Sequence, residues 1–170
     1  CPTRYHQNNF CFTKIYLGSL DAASLACDQN IKLTPRNPLL YCQAARHALI
    51  SAYFCRVQQR KAEQNQKLAL IEGHRAYERD WLEAATQKCQ EARELPICSA
   101  LFYTQSMIME YKGVDCTNLR QVEKYLSLLF TAQKLDPTNK EIQDTLTTIF
   151  AFLEKRWTEL QEKDAIAQLH

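Results

Sequence analysis

The chain has 170 residues, 21 Lys and Arg against 19 Asp and Glu, and a formal charge of +2, with both signs interspersed. That balance lacks the one-sided field that holds nucleic acid, and no apolar run approaches the roughly 20 residues that cross a bilayer. Three glycines, five prolines and a 46% apolar share point to a single all-α domain long enough to bury a core.

Residues 1–9 are polar and turn-rich, and read as an extended lead or tether; the domain proper is expected over 10–170. Phe10 to Leu17 reads as the tail of a first helix, with Gly18 making the turn. Asp21 stands at the start of the next helix, which carries a small-residue face (Ala22, Ala23, Ala26) and ends at Leu33-Thr34-Pro35. Proline lacks an amide hydrogen and disfavours helical geometry in the residue before it. Asn37 is the expected cap of a long helix that opens with Pro38, where a missing donor costs nothing.

Apolar residues continue nearly all round that helix to Val57, which argues for burial on more than one side. The run Arg56-Val-Gln-Gln-Arg-Lys61 is locally basic and reads as a solvated face. From Gln58 to Lys67 the chain is polar, without proline or glycine, and its periodicity does not separate helix from loop. A further helix is expected from about Leu68 to Leu95, with Gly73 a possible interruption and Tyr77, Trp81, Leu82, Ala85, Cys89 and Ala92 on one face. Ile97 to Lys112 is the next, stopped by Gly113; its methionines and aromatics stand at core spacing. Thr117 or Asn118 caps a helix over Leu119 to Leu135, with Val122, Tyr125, Leu126, Leu129 and Ala132 on one face. The last runs from about Asn139 to Gln168. Its stripe is Ile142, Leu146, Ile149, Leu153, Trp157 and Leu160, with Glu154, Lys155, Glu159, Glu162 and Lys163 opposite, as in the cap of a solenoid.

Two stretches carry a resemblance. Gly18, Ala23, Leu33, Pro35 and Asn37, followed by Tyr41 and Ala45, and again Ala132, Leu135, Asp136, Pro137 and Asn139, resemble the helix ending Ala-x-x-Leu-Asp-Pro-x-Asn of the tetratricopeptide repeat. The helix endings at Pro35, Pro96 and Pro137 are spaced unevenly against that family's period of about 34 residues, and Tyr125 stands where the family has a small residue. The resemblance implies antiparallel helical hairpins stacked in a right-handed array, the alternative being a closed helical bundle. It also implies a concave groove for protein partners, with Leu39, Arg46, Leu49 and Ile50 near it.

Eight cysteines, at 1, 11, 27, 42, 55, 89, 98 and 116, include no Cys-x-x-Cys pair. That usage favours disulfides and an oxidising compartment, with Cys11, Cys27, Cys42, Cys55, Cys89, Cys98 and Cys116 as candidates; the alternative is small buried hydrophobes. Sequence distance from the turns offers Cys11 with Cys27, Cys27 with Cys42, or Cys89 with Cys98. Cys1 resembles the lipid-bearing cysteine of a mature bacterial lipoprotein, which implies an outer-membrane or periplasmic location; a half-cystine or a cleaved secretory segment are the alternatives.

No phosphate loop, nucleophile elbow or His-Glu-x-x-His occurs. A Cys–His nucleophile built on His47 is conceivable, but a buried histidine without a catalytic role is the plainer reading. The expectation is a non-catalytic scaffold without cofactor or metal, contacting proteins in a larger assembly such as a secretion or pilus machine. A secreted, disulfide-stapled bundle acting as ligand, inhibitor or lipid carrier is the alternative. A third reading, an accessory subunit of an organellar membrane complex, rests on the spacing of Cys1 and Cys11.

Overall fold

Asparagine caps and prolines divide the chain where the sequence predicts. The computed structural model describes residues 17–168, with side chains from Leu20 onward, and among these it is all-α. The helices are α1 (Leu17–Leu33), α2 (Pro38–Gln64), α3 (Leu68–Arg93), α4 (Ser99–Lys112), α5 (Leu119–Leu135) and α6 (Lys140–Ala167). The expectations for the lead over 1–9, the helix tail before Leu17, Cys1 and Cys11 lie outside the described residues. Gly18 falls in the first turn of α1.

Three helix starts are capped by asparagine. The Oδ1 atoms of Asn37, Asn118 and Asn139 accept the amides of Leu39, Gln121 and Ile142 at 3.1, 3.2 and 3.3 Å, each satisfying a donor that the first turn leaves orphaned. Of the two cap candidates before α5, Asn118 serves. Gly113, at φ 96°, ends α4 in a backbone region that L side chains rarely adopt.

The polar stretch after Gln58 stays helical to Gln64, with Gln59 and Ala62 buried. The turn that follows has no glycine. Gln66 takes φ 55°, while its amide and that of Lys67 donate to the Glu63 and Ala62 carbonyls at 3.1 and 2.9 Å. This is the Schellman arrangement, with glutamine in the left-handed position that glycine usually fills. Gly73 interrupts nothing; α3 runs straight through it.

Side-chain contacts set the directions. Arg56 on α2 meets Glu78 on α3, and His47 meets Trp81 edge-on at 5.9 Å between ring centroids, so α2 and α3 form an antiparallel hairpin. Tyr125 Oη donates to Glu110 at 2.9 Å, and Ser99 Oγ to the Ala132 carbonyl at 2.8 Å, which makes α4 and α5 a second one. Arg46 lies over Tyr103 and Arg56 over Tyr111, so α2 and α4 run in the same direction. The α2–α3 hairpin packs most extensively; Ala45, Ala48 and Ala52 of α2 and Ala85 and Ala92 of α3 are buried in one core cluster, and small side chains let backbones approach. Leu20, Leu49, Met107, Leu129 and Ile142 are the large, fully enclosed hydrophobic side chains among the described residues. Each contributes about 1.5–3 kcal/mol by leaving water.

Candidate interaction surface

Two polar clusters sit inside the helical layers. In the first, the Glu78 carboxylate accepts Arg56 Nε and Tyr111 Oη, each at 2.7 Å, and Gln59 Nε2; the Arg56 guanidinium covers the Tyr111 ring at 4.0 Å. Burial alone pushes this carboxyl up, but the hydrogen bonds from Tyr111 and Gln59 and the Arg56 charge outweigh it and hold Glu78 below its ordinary range. Arg56 is half-buried with its head group on Glu78, while Arg60 and Lys61 face solvent, so part of the basic run serves as an ion-pair partner and the rest is a solvated face.

In the second cluster, Arg46 Nη2 reaches Glu141 Oε1 at 3.0 Å, Arg46 Cζ lies 5.8 Å from the Tyr103 ring centroid, and Tyr103 Oη meets Thr145 Oγ1 at 3.2 Å. These contacts join α2, α4 and α6. His47 Nε2 lies 3.0 Å from the Leu20 carbonyl, and Ser51 Oγ donates to the His47 carbonyl, so the imidazole holds α1 to α2. Lys88 bridges Asp28 and Glu91 at 3.1 and 3.6 Å, tying α3 to α1.

The four residues expected near a groove separate. Leu49 and Ile50 are 0% and 3% exposed: packing against α3 and α4 takes them into the core, which corrects their assignment to a partner-facing groove. Arg46 is half-buried in the cluster just described, and Leu39 is exposed at the start of α2.

The six cysteines among the described residues are free thiols. Cys42, Cys55 and Cys89 are buried; burial pushes Cys55 up to about 11, with the Glu78 charge adding to it, and Cys89 up to about 12 against the Arg93 charge. Cys27 is raised by burial and by Asp28, against Lys88. Cys116 donates to the Val114 carbonyl at 3.8 Å. Burial pushes the Cys42 thiol well above the usual range, with the Cys98 and Cys89 thiols adding to it against the Arg46 charge.

Large exposed side chains occur singly elsewhere, as at Leu33, Leu68 and Ile97, but line hollows along α5 and α6. Of the α6 stripe only Ile142 and Leu146 are buried; Ile149 and Leu153 are half-covered, and Trp157 is 61% exposed. Phe150 and Phe152, beside the stripe, are also open, as are Leu119 and Phe130 on α5. Phe130 and Phe150 stand 5.9 Å apart between ring centroids. A trough of about 630 Å³ between α5 and α6 is floored by Leu119, Val122, Leu126, Phe150, Leu153 and Trp157 and edged by Glu154, Thr158 and Gln161. A neighbouring depression of about 650 Å³ continues over Leu126 to Phe130, past Glu123 and Ser127. Where α4 ends, a third hollow of about 460 Å³ is lined by Val114, Cys116, Tyr125, Ile149 and Phe152, with Glu110 at its side. An apolar floor with a polar rim is the anatomy of a protein interface, and contiguous exposed apolar surface marks such sites. The one-sided stripe predicts a solenoid-capping helix; in the structure full burial stops at Leu146, and Trp157 and Leu160 are exposed, which helical periodicity alone does not reveal.

Among the described residues no group of three or more His, Cys, Asp or Glu could hold a metal ion, and no helix is long and apolar enough to cross a membrane. Comparisons with protein-family models, with curated proteins and with solved structures found no match to this chain.

Proposed function

We propose that the chain is a non-catalytic scaffold of tetratricopeptide-like hairpins that holds a protein partner against the α5–α6 face. The observation that carries this reading is the uncovered apolar trough, with Trp157 and Phe150 beside a polar rim. The antiparallel α2–α3 and α4–α5 hairpins, with α2 and α4 running in the same direction, support the hairpin-array part of it. The trough suits the apolar side of an amphipathic helix, whose anchors recur every three or four residues. A lipid-carrier role draws less support, since the hollows at α5 and α6 are open to the surface rather than closed around a ligand.

A photo-crosslinking amino acid placed at Phe150 or Trp157, compared with one at Lys61 on α2, tests the reading in the cells that make the protein. The expected result is one heterologous protein captured from both α6 positions and not from Lys61, and lost when Leu153→Asp is added. Crosslinks from α6 only to a second copy of this chain, or equal capture from all three positions, overturn it.

A further inference from the structure

The hollows along α5 and α6 carry charge of one sign. The charged residues lining the two adjoining troughs are Glu123 on the α5 side and Glu154 on the α6 side; Glu110, which accepts Tyr125 Oη, edges the third hollow. Among the described residues no lysine or arginine lines any of the three, and neither Glu123 nor Glu154 is in an ion pair. Asp164, exposed, stands seven residues past Trp157 and so falls on the same side of α6, two turns on. Helical phase sends the cations elsewhere. Arg120 and Lys124 each stand two residues from Val122, and Lys155 two from both Leu153 and Trp157, about 200° round the helix from the trough. Lys124 lines a separate hollow with Arg93 and Lys112, and Arg156 is paired with Glu159 at 3.1 Å.

We propose that the helix seated in the α5–α6 trough is cationic. It is an amphipathic helix of another protein, with apolar anchors on Phe150, Leu153 and Trp157 and flanking lysines or arginines facing Glu123, Glu154 and Asp164. This rests on the docking reading above and adds the partner's chemistry to it. A second copy of this chain suits the site poorly, because a two-fold interface sets each patch against itself and so like charge against like. The same carboxylates repel an anionic lipid surface. A basic helix covers the exposed apolar area and meets the uncompensated negative charge together. Exposed ion pairs of this kind are individually weak, so the apolar floor holds the helix and the rim selects its sign.

The test uses the full chain and two fluorescein-labelled peptides of about 18 residues. Both carry the same leucines at three- and four-residue spacing, with either lysines or glutamates at the flanking positions. Fluorescence anisotropy at about 50 mM salt is expected to show the lysine peptide bound about tenfold more tightly than its glutamate twin, with the gap closing at about 0.5 M salt. Glu123→Gln, Glu154→Gln and Asp164→Asn together bring the two peptides level. Leu153→Asp, although it adds a negative charge, removes binding of either peptide. Equal binding of the twins that Leu153→Asp abolishes overturns the charge proposal and leaves the docking surface in place. No binding, a preference for the glutamate peptide, or binding that survives Leu153→Asp also overturns it; crosslinking at Phe150 and Trp157 then decides separately whether the surface docks a partner. Sedimentation as a dimer that Leu153→Asp dissociates, or flotation with phosphatidylserine vesicles, overturns it in favour of a second copy or a membrane.

Discussion

The α2–α3 hairpin and the α5–α6 pair differ in sequence, α2 being apolar nearly all round and α6 on one stripe, and they differ in what their neighbours cover. In α2–α3 the buried polar atoms of Glu78 are met by Arg56 and Gln59 on α2 and Tyr111 on α4, and small residues close the interface. In α5–α6 the helix caps are satisfied, but apolar side chains from Leu119 to Trp157 stay in water. A region whose buried polar groups are met and whose interface is closed contributes stability. A region whose burial is left unfinished has surface for something else to bury, and that is where we place the function.

The sharpest way to separate the two regions is to truncate one large side chain in each. Leu49→Ala, in the closed region, is expected to cost about 2–5 kcal/mol in urea unfolding, because a fully enclosed leucine leaves a cavity. Trp157→Ala should change stability by less than about 0.5 kcal/mol while abolishing capture at the α6 crosslinking positions. A large stability loss at Trp157 would mean that the trough is core and would collapse the comparison.

Next in size is Glu78→Ala, expected to cost about 2–3 kcal/mol by leaving Arg56, Gln59 and Tyr111 without their acceptor. The same group sets an acid dependence. Its folded pKa lies below the unfolded value of about 4.3, so its contribution is complete above that pH and is lost as pH falls through the folded value. Denaturation midpoints should therefore fall below about pH 4 in the parent more steeply than in Glu78→Gln. Parallel profiles for the two proteins would remove Glu78 from the account of stability.

Smaller still is the cap of α6. Asn139→Ala is expected to cost about 1 kcal/mol and to raise amide exchange at the first turn of α6 more than in α2. The smallest effect has the opposite sign: Gln66→Gly relieves a left-handed non-glycine residue in the Schellman turn and should stabilise the chain by up to about 1 kcal/mol. A loss of stability at that position would show that the glutamine side chain holds the α2–α3 turn.

Local signals were the legible part. Asn37 with Pro38, Gly113, Asn118 and Asn139 mark helix ends in the sequence because capping and the proline clash act within a few residues, and these ends stand in the structure. The end of α2 was illegible because its turn uses Gln66 rather than glycine, and only the backbone bonds to Ala62 and Glu63 reveal the motif. Glu78 was hidden for a different reason. Between Tyr77 and Arg79 it reads as one more wet carboxylate, and its burial depends on Arg56, Gln59 and Tyr111, which no local pattern connects.

By itself, then, the sequence determined an all-α chain, its capped boundaries and the apolar stripe of α6, all consequences of short-range sterics, capping and helical periodicity. The tertiary structure decided which sides of those stripes are covered: it took Leu49 and Ile50 inside, brought Glu78 against Arg56, Gln59 and Tyr111, and left Phe150 and Trp157 in water. Those outcomes depend on how each helix is rotated against neighbours distant in sequence, and rotation is set by the summed packing of several helices rather than by any one of them.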